Sequence, residues 1–255
     1  MIVTTVHGVR IADLYFGERK EDVCADVIRY NCWPVIVPST ISSECSTMLL
    51  DLKMDKEALW KGLDKNVRNE INRATRDGCY VERSSMPTAG MIDGFADVFD
   101  SFARLKRLHP ISRRRLHALA ENRALSLSVA KFGTYCLVWH AYLGVARRIR
   151  LLHSVSLYRQ SNDTAERQSI GRANRLLHWQ DLSTFRSEAW ETLDMGGWHV
   201  GDSRELKSVN AFKKGFGGRT VKEFNCVAPQ TFKGRVGYAA IVLLKWRGRA
   251  KRRSG

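Results

Sequence analysis

The sequence predicts an α+β fold in which helices flank a mixed, mostly antiparallel sheet. Three observations lead to this prediction. Several long stretches carry apolar residues at three- and four-residue steps, which is typical of amphipathic helices. Other stretches are short, β-branched and bounded by Gly or Pro, which is typical of strands. These segments follow one another as two helices, three consecutive strands, a long helix and further single elements, an order that favours helices packed on one sheet.

The first half of the chain begins with strands and continues with helices. Residues 27–52 are β-branched and interrupted by Pro34 and Pro38, so we expect short strands and loops there. Helical periodicity extends over residues 56–77, and Gly78 supplies a residue that ends a helix. The elements predicted next are a strand at 79–84 and helices at 87–107 and 112–123.

The second half predicts three neighbouring strands followed by alternating elements. Residues 124–159 divide into three apolar runs separated by turn-like residues, which indicates three antiparallel strands. Helical periodicity then returns and runs to about Trp190. The remaining predicted elements are a strand in "ETLDM", a helix at 204–214 and strands at 219–227 and 236–245.

Length and composition predict a folded chain with three parts. Of its 255 residues, 44% are hydrophobic and 27% are charged, which is enough apolar material for a packed core. We expect a trimmed N-terminal strand region at 1–52, a main domain at 53–245 and a basic tail at 246–255.

The charge is strongly positive and is concentrated at the C-terminal end. The formal net charge is +16, from 42 Lys and Arg against 26 Asp and Glu. Residues 224–255 contain no acidic side chain. Such a field attracts RNA, an anionic membrane surface or phosphorylated substrates, although a solvated tail that only improves solubility is an equal alternative. The basic residues of this segment are Lys233, Arg235, Lys245, Arg247, Arg249, Lys251, Arg252 and Arg253.

The cysteines and the N-terminus favour a cytoplasmic protein. Six cysteines are scattered without a C-x-x-C pair, which favours reduced thiols and no structural metal. The N-terminus has no signal-peptide pattern, and no apolar run approaches the roughly 20 residues that span a bilayer. We therefore expect a cytoplasmic protein, with peripheral membrane contact through the basic tail as a further expectation.

Four stretches carry a resemblance to a known family. They are "LWKGLDKNVRNEINRATRDG" at 59–78, "RANRLLHWQDL" at 172–182, "LDMGG" at 193–197 and "NAFKKGFGG" at 210–218. In this order they resemble the Fem-type peptidoglycan aminoacyltransferases and related FemAB-like acetyltransferases, a branch of the GNAT acyltransferase fold. The resemblance covers most of residues 50–227 and implies a GNAT-like fold. Fem transferases carry two such domains in tandem, so this shorter chain implies a shortened N-terminal part.

The resemblance places a catalytic lysine at Lys213. Acyl transfer passes through an oxyanion, which a nearby ammonium stabilises by roughly a few kcal/mol. The lysine of the F-K pair is implicated in the transfer step of Fem-type enzymes, which implies Lys213 as catalytic and Phe212 as a substrate contact. The alternative is that both lysines are ordinary cations in the last turn of a helix that ends at Gly215 or Gly217, and Lys214 is a second candidate if the register slips.

A second family pattern implies a site for acyl-CoA, such as acetyl-CoA. GNAT enzymes turn from a strand into a helix at Q-x-x-G-x-A, where small residues let backbone N–H groups approach a pyrophosphate. The pattern maps onto Gln168, Gly171 and Ala173, with Arg172 beside them, as cofactor-binding residues. The alternative is an ordinary early helix turn, because about ten residues separate this stretch from the preceding strand.

Three further residues are candidates for the site. Asp194 at a strand end could act as a base or orient an acceptor amine, whereas the alternative is a carboxylate that caps the following glycine turn. Arg68 on a basic helix could bind phosphates of an acceptor, although such faces are usually solvated. Tyr158 could contact substrate and protonate a leaving thiolate, or simply pack in the core.

Together these observations predict an acyltransferase. It would move an acyl group from an activated donor, expected to be acyl-CoA, onto an amine or hydroxyl of a small-molecule or lipid-linked precursor of the cell envelope or of a polysaccharide. Two alternatives stay open: an aminoacyl-tRNA-dependent transferase of the peptidoglycan type, and a non-catalytic GNAT-like module that binds RNA or an anionic membrane.

Overall fold

The chain groups into two compact units. The structure is a computed structural model that describes residues 1–18, 20–106, 108–159 and 161–240. Unit 1 comprises Met1–Cys45 and the residues from Lys222 onward, and unit 2 comprises Ser46–Val221. The domain boundaries expected near residues 52 and 245 stay predictions.

The secondary structure consists of ten named strands and six named helices within the described residues. The strands are β1 (Ile2–Val6), β2 (Val9–Tyr15), β3 (Val27–Trp33), β4 (Ile41–Asp51), β5 (Cys79–Ser84), β6 (Leu125–Phe132), β7 (Tyr135–Val145), β8 (Arg148–Ser156), β9 (Thr192–Gly197) and β10 (Arg219–Pro229). The helices are α1 (Lys56–Gly62), α2 (Lys65–Arg76), α3 (Ala89–Leu105), α4 (Arg113–Glu121), α5 (Thr164–Ser187) and α6 (Arg204–Lys214).

Unit 1 is a small sheet with the strand order β1, β2, β3, β10. A tight hairpin joins β1 to β2 through His7 and Gly8, whose φ angles of 47° and 76° fit a two-residue turn that needs positive φ. Strands β2 and β3 run parallel, and β10 pairs antiparallel with β3. Asp13 is buried in this sheet, where its carboxylate accepts hydrogen bonds from the Arg29 guanidinium and from the Asn31 amide at 2.9 Å.

Unit 2 contains the larger sheet, with the order β4, β9, β8, β7, β6, β5. Its pairs are antiparallel except β8 with β9, which run parallel. The predicted mixed, mostly antiparallel sheet is therefore confirmed, as are the three neighbouring strands predicted at 124–159. The parallel pair places Arg150 of β8 beside Asp194 of β9, and this juxtaposition matters for the site.

The long helix α5 forms the centre of the core of unit 2. It packs against α2 and covers the sheet with a buried apolar stripe that includes Leu177, Leu182 and Phe185. The Phe185 ring meets Tyr142 of β7 edge-on, with ring centroids 4.8 Å apart. Burial of this apolar surface stabilises the unit by roughly 25 cal/mol per Å² removed from water, and it fixes the helix relative to β7 and β8.

One predicted helix is divided in two. The periodicity over 56–77 predicted a single helix, but α1 ends at Gly62 and α2 begins at Lys65. The Arg68 guanidinium donates hydrogen bonds to the Leu63 carbonyl and, at 3.1 Å, to the Lys61 carbonyl, so it satisfies groups at the end of α1. The Asp64 N–H donates to the Gly215 carbonyl at 2.9 Å, which ties the break to the end of α6.

The strand predicted at 236–245 is wrong over its described part. Residues 232–240 are helical, while 241–245 and the basic tail at 246–255 lie outside the described residues. A local cap explains the helix, because the Thr231 hydroxyl accepts a hydrogen bond from the Gly234 N–H at 3.0 Å. The strand predicted at 219–227 is confirmed as β10. Within the part of the chain that the structure describes, no helix is both long and apolar enough to cross a bilayer.

Candidate active site

A cavity of about 390 Å³ lies in unit 2 beside β8, between α3, α5 and α6. We call it the Lys213 cavity. Strand β8 and the 3-10 turn after it form one wall, and α5 and α6 form the opposite walls. The polar and aromatic residues that line it include Ser156, Tyr158, Asn174, His178, Phe212 and Lys213. Three residues predicted from sequence, Tyr158, Phe212 and Lys213, therefore meet in one cavity.

Lys213 lies on α6, which follows a glycine turn at the end of β9. Gly196 has a φ of 80°, and a Cβ added there would lie 3.2 Å from the Leu151 carbonyl oxygen, so the position favours glycine. The Lys213 Nζ then donates a hydrogen bond to the Gly197 carbonyl at 2.5 Å. The Asn210 side chain bonds both backbone groups of His199, which fixes α6 to the loop that precedes it.

The environment of Lys213 weakens its proton affinity. The residue is 9% exposed, and its pKa is lowered to about 8, chiefly by burial and also by Arg150, while Asp194 opposes the change. The ammonium form therefore predominates at neutral pH and is lost as pH rises through about 8. Among the described residues, the Gly197 carbonyl is its one hydrogen-bond acceptor, so N–H groups remain for a ligand.

An aromatic cluster holds the end of α6 in place. The Phe212 ring lies 5.4 Å from the rings of both His178 and Phe216, measured between centroids. The Arg175 guanidinium lies over the Phe212 ring at 5.2 Å, which adds a cation–π contact. Phe212 thus packs against α5 while it lines the cavity. After Phe216 the chain turns at Gly217 and Gly218, which both have positive φ, so the predicted glycine break after the helix is confirmed.

His178 is the site residue that sequence analysis missed. It is 3% exposed, it lines the cavity, and its buried Nδ1 has no hydrogen-bond partner among the described residues. Burial lowers its pKa well below the ordinary value, and His140, Lys213 and Arg175 lower it further. One sequence signal was available, because Asn174 and His178 are four residues apart on α5 and so share one face.

A buried polar network lies beneath the cavity, and in it the Oδ1 oxygen of Asp181 has no hydrogen-bond partner among the described residues. The Asp181 carboxylate accepts hydrogen bonds through Oδ2 from Ser128 at 2.9 Å and from Tyr142 at 2.8 Å. His140 Nδ1 lies 3.0 Å from the same oxygen, and His140 Nε2 lies 3.1 Å from the Asn174 amide oxygen. The His140 and His178 ring centroids are 4.2 Å apart. The network therefore supports both cavity residues of α5 from below.

Asp194 is fully buried and closely bound by donors. Its carboxylate accepts hydrogen bonds from the Thr47 hydroxyl, from the Gly196 N–H at 2.8 Å, and from Arg148 and Arg150 at 2.5 Å each. Burial alone would raise the pKa of Asp194, but Arg150, Arg148 and the Thr47 hydroxyl lower it below the ordinary value. These four donors occupy the lone pairs of the carboxylate, which leaves little capacity to take a proton from an acceptor, and the bond to the Gly196 N–H is the glycine-turn cap expected as the alternative.

Of the two predicted substrate contacts Tyr158 and Arg68, only Tyr158 lines the Lys213 cavity. Tyr158 lies at the wall of the Lys213 cavity, where it is 46% exposed and available to a ligand. Arg68 does not line this cavity, since its guanidinium donates to backbone carbonyls at the end of α1. Substrate contact by Tyr158 stays a prediction, whereas the geometry gives Arg68 a structural part.

The residues expected to hold a pyrophosphate do not form the predicted turn. Gln168, Gly171, Arg172 and Ala173 lie inside α5, whose N–H groups from Arg167 onward bond within the helix. The first amides of α5 donate to the Asp163 carboxylate, so the helix start is already capped. Arg172 instead lines a separate cavity of about 570 Å³. These residues do not fit the pyrophosphate of CoA.

Comparison with known proteins identifies the fold. No family model and no curated protein matches the chain. Among solved structures, FemX matches with a TM-score of 0.55 and 14% identity over 72% of this chain. The chain has a FemX-like fold. The fold predicted from the Fem-type resemblance is thereby confirmed, although the chain covers only 62% of the FemX chain.

Two further solved structures are similar to this chain. The C-terminal domain of a putative lysylphosphatidylglycerol synthetase from Agrobacterium fabrum matches with a TM-score of 0.53 and 12% identity, over 85% of this chain and 72% of its own. L-PGS from Bacillus licheniformis matches with a TM-score of 0.52 and 9% identity, over 80% of this chain and 68% of its own. At these identities the likeness concerns the fold.

Proposed function

We propose that this protein is an acyltransferase that moves an acyl group from an activated ester or thioester onto an amine or hydroxyl acceptor. The observation that carries the proposal is the buried ammonium of Lys213, which lines a cavity and has one hydrogen bond to the described residues. A buried cation with free N–H groups is costly for the fold, and a ligand oxygen in the cavity would offset that cost.

Lys213 would act on the oxyanion of the transfer step. Attack of the acceptor on the acyl carbon converts the carbonyl oxygen into an oxyanion, which the Lys213 ammonium can bind. The hydrogen bond to Gly197 holds Nζ in position, and burial strengthens its electrostatic effect. Removing one such donor costs about 10²–10³ in turnover in well-studied acyl-transfer sites.

The other cavity residues would position the reactants. Phe212 would hold the end of α6 and present an aromatic surface, and Tyr158 would contact substrate with its half-exposed phenol. Asp194 and its two arginines would hold β8 and β9 together without touching the reacting atoms. The acceptor would be a small-molecule or lipid-linked precursor of the cell envelope or of a polysaccharide, as expected from sequence.

Two donor classes suit this chemistry. Acyl-CoA is the donor expected from sequence, but the residues predicted for its pyrophosphate lie inside α5. Aminoacyl-tRNA is favoured by that misfit and by the net charge of +16. Both donors present an activated carbonyl to the same ammonium, so the catalytic assignment is common to them.

A two-donor assay tests the proposal. The purified protein is incubated with radiolabelled acetyl-CoA or with tRNA charged with radiolabelled amino acids, each with a cell-envelope precursor extract as acceptor. Transfer is measured with and without RNase. We expect transfer from one donor, a loss of about 10²–10³ in Lys213→Ala, and little change in Lys214→Ala, which is an exposed lysine of the same helix turn. Equal turnover of the two variants would reject the role of Lys213.

A binding measurement distinguishes a non-catalytic binding module from an acyltransferase. Residues 246–255, which carry five of the basic side chains, lie outside the described residues, so tail contact with RNA or an anionic membrane stays a prediction. A chain that ends at Leu244 should lose salt-dependent binding to RNA or anionic vesicles if the tail carries it. A binding module would show this loss while Lys213→Ala leaves binding unchanged and no donor is consumed.

A further inference from the structure

We infer that His178 is the general base of the Lys213 cavity, the residue that takes the proton from the attacking acceptor. The inference rests on the proposed acyl transfer. It starts from a geometric observation: a histidine that is 3% exposed lines the same cavity as Lys213, and its enclosed Nδ1 has no hydrogen-bond partner among the described residues. Six other buried side-chain polar atoms of the described residues also lack a partner, and His178 is the one of these seven residues that lines the Lys213 cavity.

The packing around His178 leaves the cavity as the direction in which it can act. His140 of β7 lies against one side of the ring, with centroids 4.2 Å apart. Phe212 and Phe216 lie on other sides at 5.4 and 5.2 Å. With Nδ1 enclosed, Nε2 is the ring nitrogen left for a ligand in the cavity.

The surroundings keep the His178 ring neutral. The charged or titratable groups that face it are His140 on β7, Arg175 on α5 and Lys213 on α6, and none of them carries a carboxylate. A neutral imidazole nitrogen accepts a proton, as a general base must. His140 differs, because both of its ring nitrogens lie at hydrogen-bond distance from partners, so it is suited to support and not to proton transfer.

The transfer step balances with this assignment. The acceptor N–H or O–H bond breaks and its proton moves to Nε2 of His178, while the freed electron pair forms the bond to the acyl carbon. The carbonyl oxygen becomes the oxyanion and is bound by the Lys213 ammonium. On collapse, the bond from the acyl carbon to the leaving sulfur or oxygen breaks, and His178 returns the proton to that leaving group. No oxidant, reductant or further reactant is needed.

Lys213 and His178 together define a pH window for the step. The reaction needs neutral His178 and protonated Lys213. At low pH the rate should fall as His178 becomes charged, which gives the acid limb of the pH profile. Because the pKa of His178 is lowered, this limb should lie below the ordinary histidine pKa of about 6.5. Because the pKa of Lys213 is about 8, the rate should fall as pH rises through that value. The rate should therefore be highest between these limbs.

The test compares His178→Gln with His117→Gln, a half-exposed histidine on α4 that serves as control. The donor is the one that the wild type consumes, either acetyl-CoA or aminoacyl-tRNA. We expect His178→Gln to lose about 10²–10⁴ in kcat with little change in KM, and to lose the acid limb. In His178→Ala, added imidazole should restore part of the rate. Retention of both rate and acid limb in His178→Gln would overturn the inference.

Folding and the proposed function are checked separately. Thermal unfolding identifies a variant that fails to fold, in which case His178→Asn and imidazole rescue of His178→Ala decide. If Lys213→Ala loses transfer while His178 variants do not, the proposed function stands and the histidine assignment fails. If the wild type uses neither donor, the proposed function itself fails. NMR titration of the His178 ring needs no substrate, and a ring that remains charged at about pH 8 would contradict the inference, because it could not accept a proton in the active pH range.

Discussion

Asp194 and Lys213 lie in the same unit and were both predicted as catalytic, yet their surroundings differ sharply. Asp194 accepts hydrogen bonds from a hydroxyl, a backbone N–H and two arginines, whereas Lys213 donates one to a carbonyl. The same contrast separates His140, which is bonded at both nitrogens, from His178. Asp194 and His140 are held by hydrogen bonds within the fold, whereas Lys213 and His178 combine unmet hydrogen-bonding capacity with a place in the cavity wall.

The largest expected effect is the loss of stability when the fully hydrogen-bonded carboxylate of Asp194 is removed. Asp194→Ala leaves Arg148 and Arg150 without their shared carboxylate, and we expect a loss of about 3–5 kcal/mol in the free energy of unfolding. Urea denaturation measures it, with Asp202→Ala as a matched control because that aspartate is fully exposed. A loss below about 1 kcal/mol would show that Asp194 does not hold the strands together.

The stabilisation by Asp194 should also depend on pH in one direction. The pKa of Asp194 is lowered in the folded state, so its contribution is present above its unfolded pKa of about 4 and is lost as pH falls through the folded value. The stability difference between wild type and Asp194→Ala should therefore shrink in acid. A stability difference that grows in acid would contradict a lowered pKa of Asp194 in the folded state.

A smaller effect is expected in the network beneath the cavity. Tyr142→Phe keeps the ring against Phe185 but removes the hydroxyl that donates to Asp181 at 2.8 Å. Since this hydrogen bond reaches a buried carboxylate, we expect a loss of about 1.5–3 kcal/mol in the free energy of unfolding. Tyr135→Phe is the control, because Tyr135 is 74% exposed. Equal stability of the two variants would contradict the network.

The smallest effect on stability is expected at Lys213, whose N–H groups are not all hydrogen-bonded. Lys213→Met removes a buried cation, so the variant should unfold at the same or higher denaturant concentration near neutral pH. The folded pKa of Lys213 lies below its unfolded value of about 10.4, so the unfolded chain binds more protons between pH values of about 8 and 10. Wild-type stability should rise relative to the variant across that range, as measured by urea denaturation. A stability difference that stays constant with pH would mean that burial does not lower the pKa of Lys213.

Local patterns predicted most of the fold, because helices and strands are set by apolar periodicity. The break between α1 and α2 was not predictable, because it depends on Arg68 and on a hydrogen bond from Asp64 to Gly215, far away in the chain. The helix at 232–240 was missed because Val236 and Tyr238 are residue types that favour strands, and the Thr231 cap was overlooked.

The candidate site was predictable in part. The resemblance of the F-K pair to that of Fem-type enzymes indicated Phe212 and Lys213, whereas composition alone would have indicated a helix end with two ordinary lysines. The Q-x-x-G-x-A stretch misled because the same letters are compatible with a helix interior once Asp163 caps the helix earlier. His178 could not be distinguished from a buried core histidine, since its role depends on a cavity built by residues distant in sequence.

The pH dependence of transfer by Lys213→Arg tests the central claim most directly. If the Lys213 ammonium stabilises the oxyanion, the wild-type rate falls as pH rises through about 8, because the pKa of Lys213 is about 8. Arginine stays charged up to about pH 12, so a variant that retains activity should lose this alkaline limb and keep its rate to about pH 10. An alkaline limb of unchanged position in an active Lys213→Arg enzyme would contradict the account.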